Sequence, residues 1–190
     1  MNLMNHIILK SLHTYPVILP IYTLFFSFVN NNMQWFLFTC WSLLTFLSAP
    51  VWKLLFRNIY RFSKHDTLPL LGSGKRPHDG YDFWGFQYLS KNLVDDVSYG
   101  MPSGHSLFAW MVSTYLILNI TKSNQYSHKN LKIILLIILA ISVSLSRYIS
   151  NCHTIQQLIV GAIIGSLLGL LFHKIMLNGD LFYKNKIFTI

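Results

Sequence analysis

Apolar residues in this chain form long runs rather than the short alternations of a water-facing strand or helix. Five of these runs reach or approach the roughly twenty residues needed to cross a bilayer. They fall at about residues 16–30, 33–56, 103–120, 131–145 and 153–177. The first is short and contains Pro20, and Asn30, Asn31 and Asn32 turn the chain into the second. Short polar connections at 121–130 and 146–152 predict tight hairpins, and residues 57–101 form the one large polar stretch. The pattern predicts an all-α integral membrane protein, a bundle of about five transmembrane helices making a single membrane domain over residues 1–190.

Alternating spans place the 57–101 loop, the start of the third span, the end of the fourth and the start of the fifth on one side. The unusual polar residues His105, Arg147 and His153 then gather at one membrane face. Ionisable residues at that depth are costly and mark function. In the fifth span Gly161, Gly165 and Gly169 recur every four residues, a small-residue ridge read as helix packing rather than chemistry.

Composition fits this picture: 53% of the 190 residues are hydrophobic and 11% charged, far below the charge content of a soluble domain. Fifteen Lys and Arg face six acidic residues, but the basic residues flank apolar runs, so the expected partner is anionic lipid and not nucleic acid. Lys53, Arg57, Arg61 and Lys64 read as contacts to lipid phosphates. Cys40 and Cys152 build no disulfide framework. The first run lacks a signal-peptide cleavage site and reads as a retained span. No pair of histidines has metal-ligand spacing beside a carboxylate, so no metal or other cofactor is expected. His6, His13, His65, His78, His128 and His173 read as solvated or interfacial, and Asp79, Asp82, Asp95 and Asp96 as solvating the loop.

The chemistry is concentrated in Lys75-Arg76-Pro77, Pro102-Ser103-Gly104-His105, and Ser146-Arg147 followed after five residues by His153. Arg76 and Arg147 present permanently charged planar forks that suit phosphate oxygens. Ser103 and Gly104, at a helix start, offer backbone N–H donors. Together these segments resemble the three-part signature of the type-2 phosphatidic acid phosphatase superfamily, over roughly residues 70–170. The resemblance implies His153 as a nucleophile forming a phosphohistidine, and His105 as the acid that protonates the leaving group. Gln157, four residues after His153 and on the same helical face, is expected to accept from the imidazole N–H and fix its tautomer. On that view a carboxylate would serve equally, so Gln157→Glu is expected to keep or raise turnover.

Two positions depart from the family pattern. Most members carry Asp where Gln157 stands, although His153-Thr154 with Gln157 is similar to the dolichyl-diphosphatase and glucose-6-phosphatase branches. The first motif's lysine, seven residues before the Arg, is replaced by Pro69. Lys75, or else Lys64, is expected to take its place beside phosphate. The branch resemblance implies hydrolysis of a polyprenyl diphosphate, undecaprenyl or dolichyl, to the monophosphate. The alternatives are a phosphatidic acid or phosphatidylglycerophosphate phosphatase, or an inactive relative that binds lipid. Lysines in the short segments opposite the site predict a periplasmic or lumenal active face.

Overall fold

Asn32 separates the first two helices, its side-chain oxygen capping the second by accepting from the N–H groups of Gln34 (3.0 Å) and Trp35 (3.2 Å). The structure, a computed structural model, describes residues 3–77, 99–122 and 127–185. Helix α1 covers Leu3–Val29, α2 Met33–Leu47 and α3 Ala49–Ser63. The expected second span runs on to Ser63 but is broken at Ser48. Pro50 has no N–H for the Phe46 carbonyl and its ring crowds that group, so the helical hydrogen bonding is interrupted there. Lys64, in the left-handed conformation with φ 58°, ends α3. A small antiparallel hairpin follows, β1 (Thr67–Leu68) pairing with β2 (Gly72–Ser73). The chain closes with α4 (Gly104–Lys122), α5 (Lys129–Ile149) and α6 (Ile155–Asn185).

Four helical stretches among the described residues are long and apolar enough to cross a membrane: Ser11–Val29, Met33–Ser63, Lys129–Ile149 and Ile155–Asn178. Their outer faces carry large exposed apolar side chains such as Phe25, Phe28, Leu135, Ile138, Ile163 and Leu167, which lipid covers as water cannot. The fifth crossing element, α4, is absent from that group because it is enclosed by the others. Leu107, Phe108, Ala109, Met111 and Val112 have no exposed surface, and a helix that meets protein rather than lipid can carry polar groups. Ser106 donates to the Leu158 carbonyl (2.8 Å), Ser113 to the Leu136 carbonyl (3.0 Å), and Asn119 bonds His173 (3.0 Å). The protein is an all-α integral membrane bundle with α4 at its centre.

Among the described residues the most extensive contact between two helices is that of α4 with α6, along the glycine ridge. A Cβ at Gly161 would come 2.6 Å from the Ser103 carbonyl oxygen and one at Gly169 2.6 Å from that of Met111, while at Gly165 it would fall on the Leu107 carbonyl. Backbone cannot yield as a side-chain tip can. Gly165→Leu is therefore expected to cost about 3 kcal/mol or more by overpacking, read as a lower melting temperature in detergent. The lipid-facing Ile163→Leu should leave it unchanged.

Candidate active site

The turn between α5 and α6 places two of the singled-out residues. Arg147 closes α5 and is 1% exposed. Its carbonyl accepts from the Cys152 N–H at 3.0 Å, and Asn151 takes a positive φ of 53° to make the reversal. His153 follows, buried, just before α6. Thr154 and Gln157 then form a reciprocal cap: the Gln157 N–H donates to Thr154 Oγ1 (3.4 Å) and the Thr154 N–H to Gln157 Oε1 (3.3 Å). The Thr-x-x-Gln spacing is a known helix-start signal, and it was available in the sequence.

Gln157 has no exposed surface, and both ends of its amide are engaged. One end donates to the Ser73 carbonyl (3.0 Å) and the Lys75 carbonyl (2.8 Å). Carbonyls only accept, so that end must be the NH2 group and the oxygen must face His153. Gln157 Oε1 thus accepts from His153 Nδ1–H at 2.9 Å, which leaves the lone pair on Nε2. The same amide ties α6 to the hairpin that carries the first motif. A carboxylate at 157 would turn an acceptor toward two acceptors, so the expectation for Gln157→Glu changes sign.

The first motif is held from both sides. Gly74 accepts from the N–H groups of Gly100 (2.9 Å) and Met101 (3.2 Å), and Lys75 bridges Tyr99. Glycine at 100 is a close-approach requirement: a Cβ there would lie 2.5 Å from Gln157 Oε1 and 2.8 Å from Arg76 Cγ. Arg76 is thereby carried next to Gln157, its Nε and Nη1 atoms buried. The Lys75 side chain points elsewhere: it is 56% exposed, with Nζ 3.8 Å from Asp66. Lys64 is exposed at the end of α3.

In the second motif, Ser103 is fully buried, and its N–H does not open onto a ligand as expected but donates to the Gln157 carbonyl at 3.0 Å. Its hydroxyl accepts from the Ser106 N–H at 3.5 Å. Gly104 packs against Ala49, where a Cβ would lie 3.1 Å from that of the alanine. His105 Nε2 lies 3.1 Å from the His13 carbonyl, so Nε2 carries the proton and Nδ1 is the acceptor nitrogen of the neutral ring. His13, read from the sequence as solvated or interfacial, is buried (6% exposed); its ring meets His105 edge-on at 6.1 Å and its Nε2 lies 3.3 Å from Ser150 Oγ. Pro16, inside α1, has no N–H to offer the carbonyl of Leu12, the residue before His13.

The charges of Arg76, Arg147 and Lys53 all act on the His153 ring, and those of Arg147 and Arg76 on the His105 ring. Two imidazoles among fixed cations suit a phosphoryl group, whose charge grows on its outer oxygens during transfer. An apolar groove of about 360 Å3 lies alongside between α1 and α5, lined by Leu9, Leu12, Leu145, Ser146 and Ile149 among others. A larger cavity of about 610 Å3, lined by Trp35, Phe38, Asn119 and Lys132 among others, lies at the other end of the bundle. Among the described residues no group of three or more His, Cys, Asp or Glu could hold a metal ion. Asp79, Asp82, Asp95, Asp96 and His78 lie outside the described residues.

The family model of the PAP2 superfamily matches residues 50–180, more than half of the chain. The chain belongs to the PAP2 superfamily. No curated protein and no solved structure matches it. The match takes in all three PAP2 motif segments and the whole of the polar loop, whereas α1, with His13, lies outside it. PAP2 members are phosphatases, and the bundle is a membrane-embedded setting for that chemistry.

Proposed function

We propose that this PAP2 protein is a membrane lipid phosphatase that hydrolyses a polyprenyl diphosphate, of undecaprenyl or dolichyl type, to the monophosphate through a phosphohistidine on His153. The observation that carries the reading is the hold of Gln157 on His153 Nδ1–H, which leaves a lone pair on Nε2. Nε2 attacks the terminal phosphorus as the bond to the bridging oxygen breaks, and His105, entering the step as imidazolium with its Nε2–H kept on the His13 carbonyl, delivers the proton from Nδ1 to the departing monophosphate. Water then attacks the phosphohistidine, giving its proton to His105, and inorganic phosphate leaves with the Nε2 lone pair restored. Arg76 and Arg147 hold the outer oxygens throughout, and Gln157 supports the charge that develops on the ring without supplying a negative charge.

The apolar groove beside Leu12 and Ser146, next to His13 and Arg147 in the chain, supports a substrate with a hydrocarbon tail lying in the bilayer. The active face is assigned to the periplasmic or lumenal side. Phosphate release from undecaprenyl diphosphate, phosphatidic acid and phosphatidylglycerophosphate tests the reading. We expect kcat/KM to be highest on the diphosphate by about tenfold or more, about 1.4 kcal/mol in transition-state binding. Preference for a glycerolipid would replace the substrate class, and binding without release from any of them would make the protein a lipid binder.

A further inference from the structure

An imidazole that works in one direction needs one ring nitrogen held so that the other is the one that reacts. Gln157 does this for His153. For His105 the holding group is the backbone carbonyl of His13, which accepts from Nε2–H at 3.1 Å and leaves Nδ1 to exchange the proton. A carbonyl has two lone pairs, so one inside a helix can serve a side chain as well as the helix itself. Helix α1, which supplies this carbonyl, lies outside the residues that the PAP2 model matches.

The side chain of His13 makes a second connection. Its ring is buried, meets the His105 ring edge-on, and brings Nε2 within 3.3 Å of Ser150 Oγ. Ser150 caps α5, its N–H donating to the Ser146 carbonyl at 3.1 Å, and it stands in the turn between Arg147 and His153. One residue of α1 therefore touches both the start of α4, which carries the acid, and the turn that carries the nucleophile. Any residue type at position 13 would offer a carbonyl. Only a side chain that reaches Ser150 fixes where that carbonyl stands, and with it which nitrogen of His105 is free to face the leaving group.

We propose that His13 is a positioning residue for the general acid: its ring, anchored on Ser150, sets the carbonyl that keeps His105 oriented to deliver its proton from Nδ1. This rests on the phosphatase reading above. His13 exchanges no proton with the substrate, so its loss acts only through His105. An acid held slightly out of line costs turnover while leaving the arginines that bind phosphate in place.

The test is a double-mutant cycle on phosphate release from the lipid phosphate that the wild type hydrolyses best, with melting temperatures alongside. His13→Leu and His13→Gln are made in the wild-type and His105→Ala backgrounds, with the lipid-facing Ile18→Leu as a control on the same helix. His13→Leu is expected to lower kcat by about 10- to 10²-fold in the wild-type background, with KM changed by less than about twofold. His13→Gln, whose amide can still reach Ser150 Oγ, should recover much of that loss, and Ile18→Leu should behave as wild type. In the His105→Ala background His13→Leu should change kcat by less than about twofold, because the group it acts through is gone. Three results would overturn the proposal: unchanged kcat in His13→Leu, the same fold-loss in both backgrounds, which is what a merely structural residue gives, or no recovery in His13→Gln. A wild-type protein that releases no phosphate from any lipid would remove the phosphatase reading together with this one, whereas active wild type with an indifferent His13→Leu removes His13 alone.

Discussion

His153→Ala is expected to lower phosphate release by about 10⁴-fold or more, because no neighbouring group can replace the nitrogen that forms the covalent intermediate. The loss should come without unfolding. Among the described residues the ring's one hydrogen bond is to Gln157 Oε1, and that oxygen keeps the Thr154 N–H as a donor when the imidazole is gone. His153 also precedes α6 rather than standing inside it, so no helical turn is disturbed. The measurement pairs turnover with the melting temperature and with acid-labile ³²P on the protein. Residual activity above a few per cent, or labelling that persists in the variant, would falsify the assignment of His153 as nucleophile.

The second large effect concerns Gln157, where two opposite substitutions are expected to fail for different reasons. Gln157→Leu removes the acceptor for His153 Nδ1–H and the donor to the Ser73 and Lys75 carbonyls. Each buried group left without a partner costs about 1–3 kcal/mol, so the variant should lose both turnover and stability. Gln157→Glu keeps an acceptor for His153 but faces the two carbonyls with an oxygen instead of an NH2 group. It is expected to lower turnover by about 10²-fold, since the hairpin carrying Arg76 loses its tie to α6. Motif spacing alone suggests the opposite result for Glu. Turnover at or above the wild-type level in Gln157→Glu would mean that the amide's bonds to Ser73 and Lys75 are dispensable. Wild-type turnover in Gln157→Leu would reduce Gln157 to a packing residue.

Most of the membrane architecture was legible because its signals are local. A run of apolar residues exposes its length, Asn32 shows its cap, and Gly161, Gly165 and Gly169 show their face, all within single elements. Even so, α4 is the crossing helix with the least apolar signature, because enclosure by its neighbours removes the need for a lipid-facing surface. The site was legible in part for the same reason. His153 and Gln157 are four apart on one strand of sequence, and Ser103, Gly104 and His105 are contiguous.

By itself, then, the sequence determined the membrane class, the grouping of histidines and arginines toward one face, and the choice of Gln157 as the partner of His153. Only the tertiary structure decided what Gln157's other end holds, that the Ser103 N–H is committed to the Gln157 carbonyl, that His13 stands beside His105, and that Lys53 is buried where Lys75 is exposed. Several of these contacts are made to backbone groups, the carbonyls of Ser73, Lys75, His13 and Gln157. Every residue type carries such a carbonyl, so nothing in the sequence distinguishes the ones that are used. His13 lies far along the chain from His105, and no periodicity links the two. Their placement follows from how whole helices pack, which short-range pattern cannot encode.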